Sequence, residues 1–311
     1  MIYKATQSNI LKAAQLIQSG DVVAFPTETV YGLGASGYDA KAIAKIFDIK
    51  NRPTFNPLIS HIADIDFLTE YAQTDERVLA LAKQFWPGPM TFILNRKDNN
   101  PALDLACAGL SKISVRMPKH KVALDLIKAS GVPIVAPSAN KSQTISPTTA
   151  EHVQKSLGDA VPMILDAGPC TVGVESTILD MTHHQIVVLR AGGLAAEVIE
   201  EFLGEKVLFS DGNPNKPSSP GQLLKHYAPR YETQINVRHP QADEFYIGFG
   251  KMSCDLNLSP SGDLQEAAAN LFSMMHLAET QKIKKKIAIA PIPNKGLGRA
   301  INDRIKRASY K

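Results

Sequence analysis

"AFPTETVYGLGASG", from Ala24 to Gly37, carries glycines at 32, 34 and 37, the G-x-G-x-x-G spacing of a dinucleotide-binding turn. A Rossmann fingerprint needs those glycines directly after a strand and at the opening of a helix, so that pyrophosphate meets the helix N-terminus. Here Pro26 to Tyr31 separate the strand candidate Asp21 to Phe25 from Gly32, and the next helical pattern starts only near Asp39. No carboxylate closes a clear second strand about 20 residues further on. The stretch therefore reads as a Gly-rich turn whose small residues allow close backbone packing. No G-x-x-x-x-G-K-[ST] occurs either, which excludes a P-loop.

Outward from this stretch, short β-rich runs alternate with helical periodicity, the pattern of an α/β domain around a mixed sheet. Strand candidates are residues 21–25, 90–94, 112–117, 133–137, 163–168, 176–181 and 185–191, the last two forming a hairpin across Thr182, His183 and His184. Neighbouring strand positions face opposite ways, so the adjacent histidines read as turn residues rather than metal ligands. Helix candidates are SNILKAAQLIQSG, DAKAIAKIFDIK, DERVLALAKQFW, KVALDLIKASG and TTAEHVQKSLG, the last with capping-box spacing at Thr148 and Glu151. Pro, Ser, Gly and Asn crowd Ser210 to Gly221, which reads as a linker. Beyond it, FYIGFG, a long helix around Met274 and Met275, and KKIAIAPI predict a small α/β domain. The expected organisation is a catalytic domain over 1–205, a linker and lid over 206–232 and a C-terminal domain over 233–311.

The chain has 311 residues, 44% apolar and 21% charged, the balance of a globular protein with one large or two ordinary domains. No run approaches the ~18 apolar residues of a membrane span, and MIYKATQSNI lacks the pattern of a signal peptide, so a cytoplasmic location without membrane contact is expected. Cys107, Cys170 and Cys254 are far apart and lack zinc-like spacing. A net charge of +4 suits phosphate-bearing ligands but does not mark a dedicated nucleic-acid binder, and Lys282 to Lys286 reads as a solvated helix end.

Three constellations bear chemistry. Lys50, Arg52, Asn56 and His61 fall within twelve positions interrupted by Pro53 and Pro57, a rigid path suiting either an anion site or a solvated basic loop. Ser138, Asn140, Ser142 and Ser146 follow an apolar strand, at the kind of strand end where open α/β sheets bind ligands and where turns also form. Arg116 and Arg190 each end an apolar strand beside Pro or Gly, positions that pair with a structural carboxylate or a ligand anion. Glu175, Ser176 and Thr177 place more polar groups at a strand start. No G-x-S-x-G elbow supports a serine hydrolase.

PTETVYGLG, KNRPTFNPLISH, SVRMP, APSAN, SPTTAEHV, DAGPCTVGVESTILD and VLRAGG, together with SPGQLLKHYAP and GLGRAINDRIKRA, resemble the YrdC-like family in its long form, the threonylcarbamoyl-AMP synthases. The resemblance implies a twisted mixed-sheet domain with a concave site, a linker, and a small Rossmann-like α/β C-terminal domain. It implies a reaction joining L-threonine, bicarbonate and ATP into threonylcarbamoyl-adenylate and pyrophosphate. The product passes to a transferase complex that modifies tRNA. Threonine would be held by Thr29, His61, Arg116, Ala136 and Ser176. ATP would be held by Lys50, Arg52, Asn56, Lys112, Ser138, Asn140, Ser146, Arg190 and Tyr227, with Lys50, Arg52, Ser138 and Asn140 as the catalytic set. Magnesium would ride on ATP, with no protein metal site and no organic prosthetic group. Pro220, Gly221, His226, Tyr227 and Pro229 would form a lid. Lys112 and Asn51 depart from the Thr and Gly common in the family, and at Lys112 only a backbone contact would survive. The competing readings are an RNA-binding module, consistent with a weak RNA contact, and carbamoyl transfer in metal-centre maturation; the latter normally brings acylphosphatase and zinc-finger segments, which are not visible here.

Overall fold

The computed structural model describes residues 1–97, 101–210, 226–280 and 286–310. The Ser210 to Gly221 linker beyond its first residue, with Pro220 and Gly221 of the expected lid, lies outside the described residues, as does most of Lys282 to Lys286.

Strands β1 (Ile2–Lys4), β2 (Val23–Phe25), β3 (Gly32–Ser36), β4 (Ile59–His61), β5 (Met90–Asn95), β6 (Lys112–Arg116), β7 (Ile134–Ala136), β8 (Met163–Asp166), β9 (Thr177–Asp180), β10 (Val187–Arg190) and β11 (Leu208–Phe209) form one mixed sheet. Their order is β1, β8, β2, β3, β7, β4, β6, β5, β9, β10, β11. The hairpin across His183 and His184 forms as β9 and β10, antiparallel. The opening stretch departs from expectation: GLGAS is not a turn but β3, paired antiparallel with both β2 and β7. Close packing is still what its glycines serve. A Cβ on Gly34 would lie 2.6 Å from Ile134 Cγ2 and 2.7 Å from the Phe25 ring.

Helices α1 (Gln7–Gln18), α2 (Ala40–Lys50), α3 (Asp66–Tyr71), α4 (Glu76–Phe85), α5 (Pro101–Ala106), α6 (Lys121–Ser130), α7 (Ala150–Leu157) and α8 (Ala196–Leu203) surround the sheet. Asp39 caps α2 by accepting from the backbone N–H of Lys41 and Ala42. The same helix ends on Asn51 in the left-handed region at φ 50°, the conformation that Gly or Asn adopts at such an exit. Helix α7 is capped by Thr149 rather than by the expected Thr148, whose hydroxyl instead meets His152 Nδ1 at 3.4 Å.

Residues opposite one another in a ladder share a face. Leu33, Val135, Val115, Phe92, Leu179 and Val188 lie on the face packed by α2, α7, α3, α4 and α8. On the other face, α1 and α6 bury Phe25 and Ile134 at one end of the sheet. The rest of that face presents His61, Arg116 and Arg190, and over it sits a second domain.

This domain has a parallel sheet in the order β12 (Glu232–Gln234), β15 (Lys286–Ile289), β13 (Glu244–Gly248), β14 (Leu256–Asn257), with helices α9 (Leu264–Thr280) and α10 (Gly298–Ala308). Met275 is core filling, as its helical position suggests. Val30, Ile145 and Val174 of the first domain join the same apolar cluster, so the domains share a continuous core. No helix among the described residues is long and apolar enough to cross a membrane.

Candidate active site

Ladder register assembles the site. His61 on β4 is the Cα partner of Arg116 on β6 and of Ile134 on β7, while Ile59 opposes Ala136. The period-2 alternation therefore brings Ile59, His61, Arg116 and Ala136 to one face. Before β3, the Thr27 hydroxyl donates to the Val30 carbonyl at 2.6 Å and accepts from the N–H of Thr29 and Val30, folding the PTETV segment into a tight loop. That loop aims Thr29 at Arg116, whose Nη1 donates to the Thr29 hydroxyl at 2.9 Å. Arg116 Nη2 lies 2.7 Å from Glu28 Oε1 in an ion pair almost wholly removed from solvent. Of the two kinds of partner left open for Arg116, the structure shows a carboxylate, that of Glu28. His61 Nδ1 is 3.0 Å from the Ile59 carbonyl, and burial with the neighbouring Arg116 charge lowers the imidazole to about 3, so the ring is neutral. Ser176 shares a hydrogen bond of 2.7 Å with Thr91 and is gripped by Arg190, which donates to its carbonyl from both Nε and Nη2.

The other end of the cavity is built on carbonyls. Lys50, the last residue of α2, is 2% exposed; its ammonium donates to the Ser138 carbonyl at 2.6 Å and to that of Asn140. Burial and then Arg52 push this amine well below its ordinary value. Arg52 donates to the Asn56 and Pro57 carbonyls, and burial lowers it to about 10, leaving it charged at neutral pH. Among the described residues neither cation has a carboxylate within ion-pair distance. The Ser138 hydroxyl donates to Asn140 Oδ1 at 2.5 Å, and Asn140 is anchored to Thr144. The carboxamide of Asn56 is buried without a hydrogen-bond partner among the described residues.

Over the cavity lie His226 and Tyr227, rings 3.9 Å apart, with Tyr227 at φ 61°, a strained conformation for a bulky residue. Beneath them Glu175 accepts from Ser146 Oγ at 2.6 Å and from Arg304 Nε at 2.9 Å. Burial raises the Glu175 carboxyl, but Arg304, Arg190 and the Ser146 hydroxyl outweigh it and hold it at about 2.

Of the residues expected to act, Thr29, Arg52, His61, Arg116, Ala136, Ser138, Ser176, Arg190 and Tyr227 line one cavity. Lys50, Asn140 and Ser146 stand in its wall, bonded to lining residues, and Asn56 adjoins through Arg52. Lys112 does not join them. It opens β6, about 13 Å along the strand from Arg116, and its ammonium pairs with Asp180 at 3.0 Å. Sequence reasoning missed Thr27, Glu28, His276 and Arg304 as partners of the site. An acidic residue beside Thr29 was the only signal for Glu28, while Arg304 lies 129 positions from its carboxylate.

Fold and site define a two-domain α/β protein in which one sheet face carries a cation-lined cavity roofed by the smaller domain. Residues 15–192 match the family described as "Telomere recombination", and residues 194–309 match the one described as "Threonylcarbamoyl-AMP synthase, C-terminal domain". A threonylcarbamoyl-AMP synthase of Bacillus subtilis is 40% identical over 324 residues, covering 96% of this chain and 92% of that one. One of Pyrococcus abyssi is 38% identical over 319 residues, covering 96% and 93%. The crystal structure of P. abyssi Sua5 complexed with L-threonine superposes with a TM-score of 0.90 at 36% identity, covering 99% of this chain and 96% of that one. The chain belongs to the threonylcarbamoyl-AMP synthase family.

Proposed function

We propose that this chain joins L-threonine, bicarbonate and ATP into threonylcarbamoyl-adenylate, releasing pyrophosphate, for threonylcarbamoyladenosine modification of tRNA. The observation that carries the reading is two buried basic side chains, Lys50 and Arg52, bonded to carbonyls beside an arginine-floored pocket. Desolvated charge without a carboxylate is costly until an anion arrives, and a triphosphate supplies one.

Arg116 and Thr29 would hold the threonine carboxylate, with Ser176, His61 and the Ala136 backbone around its other groups. The neutral amine attacks bicarbonate carbon, forming the C–N bond as water leaves. A carbamate oxygen then attacks the α-phosphorus, and the bond to pyrophosphate breaks. No covalent enzyme intermediate is required: the Cys107 thiol is raised by burial to about 11, Cys170 is raised too, and neither lines the cavity. At about 3, His61 is too weak a base to match neutral operating pH, which favours a positioning role. Lys50 and Arg52 would stabilise charge developing on the transferred and departing phosphates.

Glu175 is the carboxylate lining the cavity and is already engaged, and among the described residues no group of three or more His, Cys, Asp or Glu could hold a metal. This donor set fits a magnesium ion carried on the phosphates, where it would neutralise the leaving pyrophosphate.

The cavity encloses about 50 Å3, against roughly 300 Å3 or more for pockets that hold a drug-sized ligand. His226 and Tyr227 would therefore act as a lid that swings aside for ATP and closes again to exclude water from the labile carbamate. A tRNA threonylcarbamoyl transferase complex would take the product.

The test is incubation with ATP, magnesium, bicarbonate and L-threonine, followed by mass detection of the adenylate. Pyrophosphate release independent of threonine would overturn the reading. Salt-sensitive RNA affinity without turnover would mark a binding module instead.

A further inference from the structure

Two side chains of the second domain converge on one residue of the nucleotide end. Ser146 is fully buried, and its hydroxyl and its carbonyl are both engaged. Its hydroxyl donates to Glu175 Oε1 at 2.6 Å, and the other Glu175 oxygen accepts from Arg304 Nε at 2.9 Å. Its carbonyl lies 3.1 Å from His276 Nε2; a carbonyl only accepts, so this nitrogen carries the imidazole proton. Arg304 projects from α10 with no exposed surface, donates also to the Ala191 carbonyl at 2.7 Å and to Asp303 at 2.8 Å, and stands over the Tyr227 ring at 5.4 Å. His276 projects from α9 and stacks on His152 of α7 at 3.9 Å.

A guanidinium this deep, crossing between domains, is not needed for adhesion, which Val30, Ile145 and Val174 already supply by sharing the second domain's core. Replacing a buried ion pair with apolar groups is often neutral for stability, so the pair is better understood by what it holds in place. It holds the Glu175 carboxylate, and through it the Ser146 hydroxyl.

We infer that Arg304 and His276 are positioning residues through which the second domain sets Ser146, and hence the nucleotide end of the site, for ATP. This inference rests on the proposed function. Without Arg304 the Glu175 carboxylate loses its interdomain anchor and Ser146 loses its fixed rotamer, while Arg116, Thr29 and His61 keep every partner they have.

The experiment uses the full chain and measures threonine-dependent pyrophosphate release, with ATP and threonine varied separately, for Arg304→Met, Arg304→Lys, Glu175→Gln and His276→Ala. Loss of one charge-assisted hydrogen bond predicts that Arg304→Met raises KM for ATP about tenfold, with KM for threonine within about twofold. Arg304→Lys should recover part of the loss. Arg304→Met combined with Glu175→Gln should be little worse than Arg304→Met alone, because both remove the same link. Equal rises in both KM values, or a fall in kcat alone matching the folded fraction, would overturn the inference in favour of a structural role. Should Arg304→Met fail to fold, the near-isosteric Glu175→Gln carries the test, and an unchanged KM for ATP there overturns it. If the wild-type chain releases no pyrophosphate, the proposed function fails on its own. Calorimetric ATP binding then decides the inference: about tenfold weaker binding by Arg304→Met or Glu175→Gln supports it, and equal binding overturns it.

Discussion

The two ends of the cavity treat positive charge differently. At the end proposed for threonine, Arg116 comes with its own counter-charge, Glu28 at 2.7 Å, and a hydroxyl from Thr29. At the end proposed for the nucleotide, Lys50 and Arg52 are also buried but meet only backbone carbonyls among the described residues. The difference follows what each end is proposed to bind. An amino acid is a zwitterion, and a neutralised arginine orients its carboxylate without drawing in stronger anions. A triphosphate is a polyanion, and cations that are not already paired keep their full attraction for it.

Substitutions that erase this contrast should have graded effects. Lys50→Met keeps much of the volume but removes the charge; kcat for pyrophosphate release should fall about 10²- to 10³-fold, with KM for threonine little changed. A loss confined to KM for threonine would show that the ends have been assigned the wrong way round. Glu28→Gln makes the threonine end resemble the other by leaving Arg116 without its carboxylate. Thermal unfolding should reveal a loss of about 3 kcal/mol, and added threonine should restore more stability than it does in the wild type, its carboxylate replacing the missing charge. Equal threonine stabilisation of both proteins would argue that Arg116 does not bind the carboxylate. Thr29→Ala removes one hydrogen bond to Arg116 and should raise KM for threonine about tenfold while sparing ATP; an unchanged threonine dependence would remove Thr29 from the site.

A further effect concerns pH and spans both ends. His61 at the threonine end, with His226 and His276 over the nucleotide end, is each held at about 3, mainly by burial. They are neutral in the folded chain, whereas in the unfolded chain they take up protons below about 6.5. The unfolded state therefore binds more protons between those values, and stability should fall as pH drops from about 6.5 toward 3. Glu175, held at about 2, adds a further loss as pH falls from its unfolded value through 2. Melting temperature measured from pH 7 to 5 should decline, and His276→Gln should flatten the slope. A wild-type curve flat over this range would contradict the buried, neutral imidazoles.

Much of the sheet was legible because apolar runs such as KISVRM and PIVAP are buried strands with strong β propensity. Strand β3 was not. Its glycines lack the side-chain pattern by which a strand is read, and pairing on both sides with Phe25 packed against Gly34 decides its conformation. Three-residue β4 was missed for a related reason: Ile59–His61 is too short to show a period, yet its register aligns His61 with Arg116. The cap of α7 fell one residue from its expected place because both Thr148 and Thr149 fit the local rule, and only contact with His152 separates them.

By itself the sequence determined the α/β class, the family, and most of the residues that line the cavity, because period, caps and motifs are local properties of a chain. Tertiary structure alone decided which charge answers which. Glu28 was paired with Arg116 and Arg304 with Glu175 across 88 and 129 positions, whereas Lys50 was left facing carbonyls. A guanidinium is the same group in every sequence. Its partner is set by the sheet register and domain packing that bring distant residues within 3 Å, and local pattern does not encode those contacts.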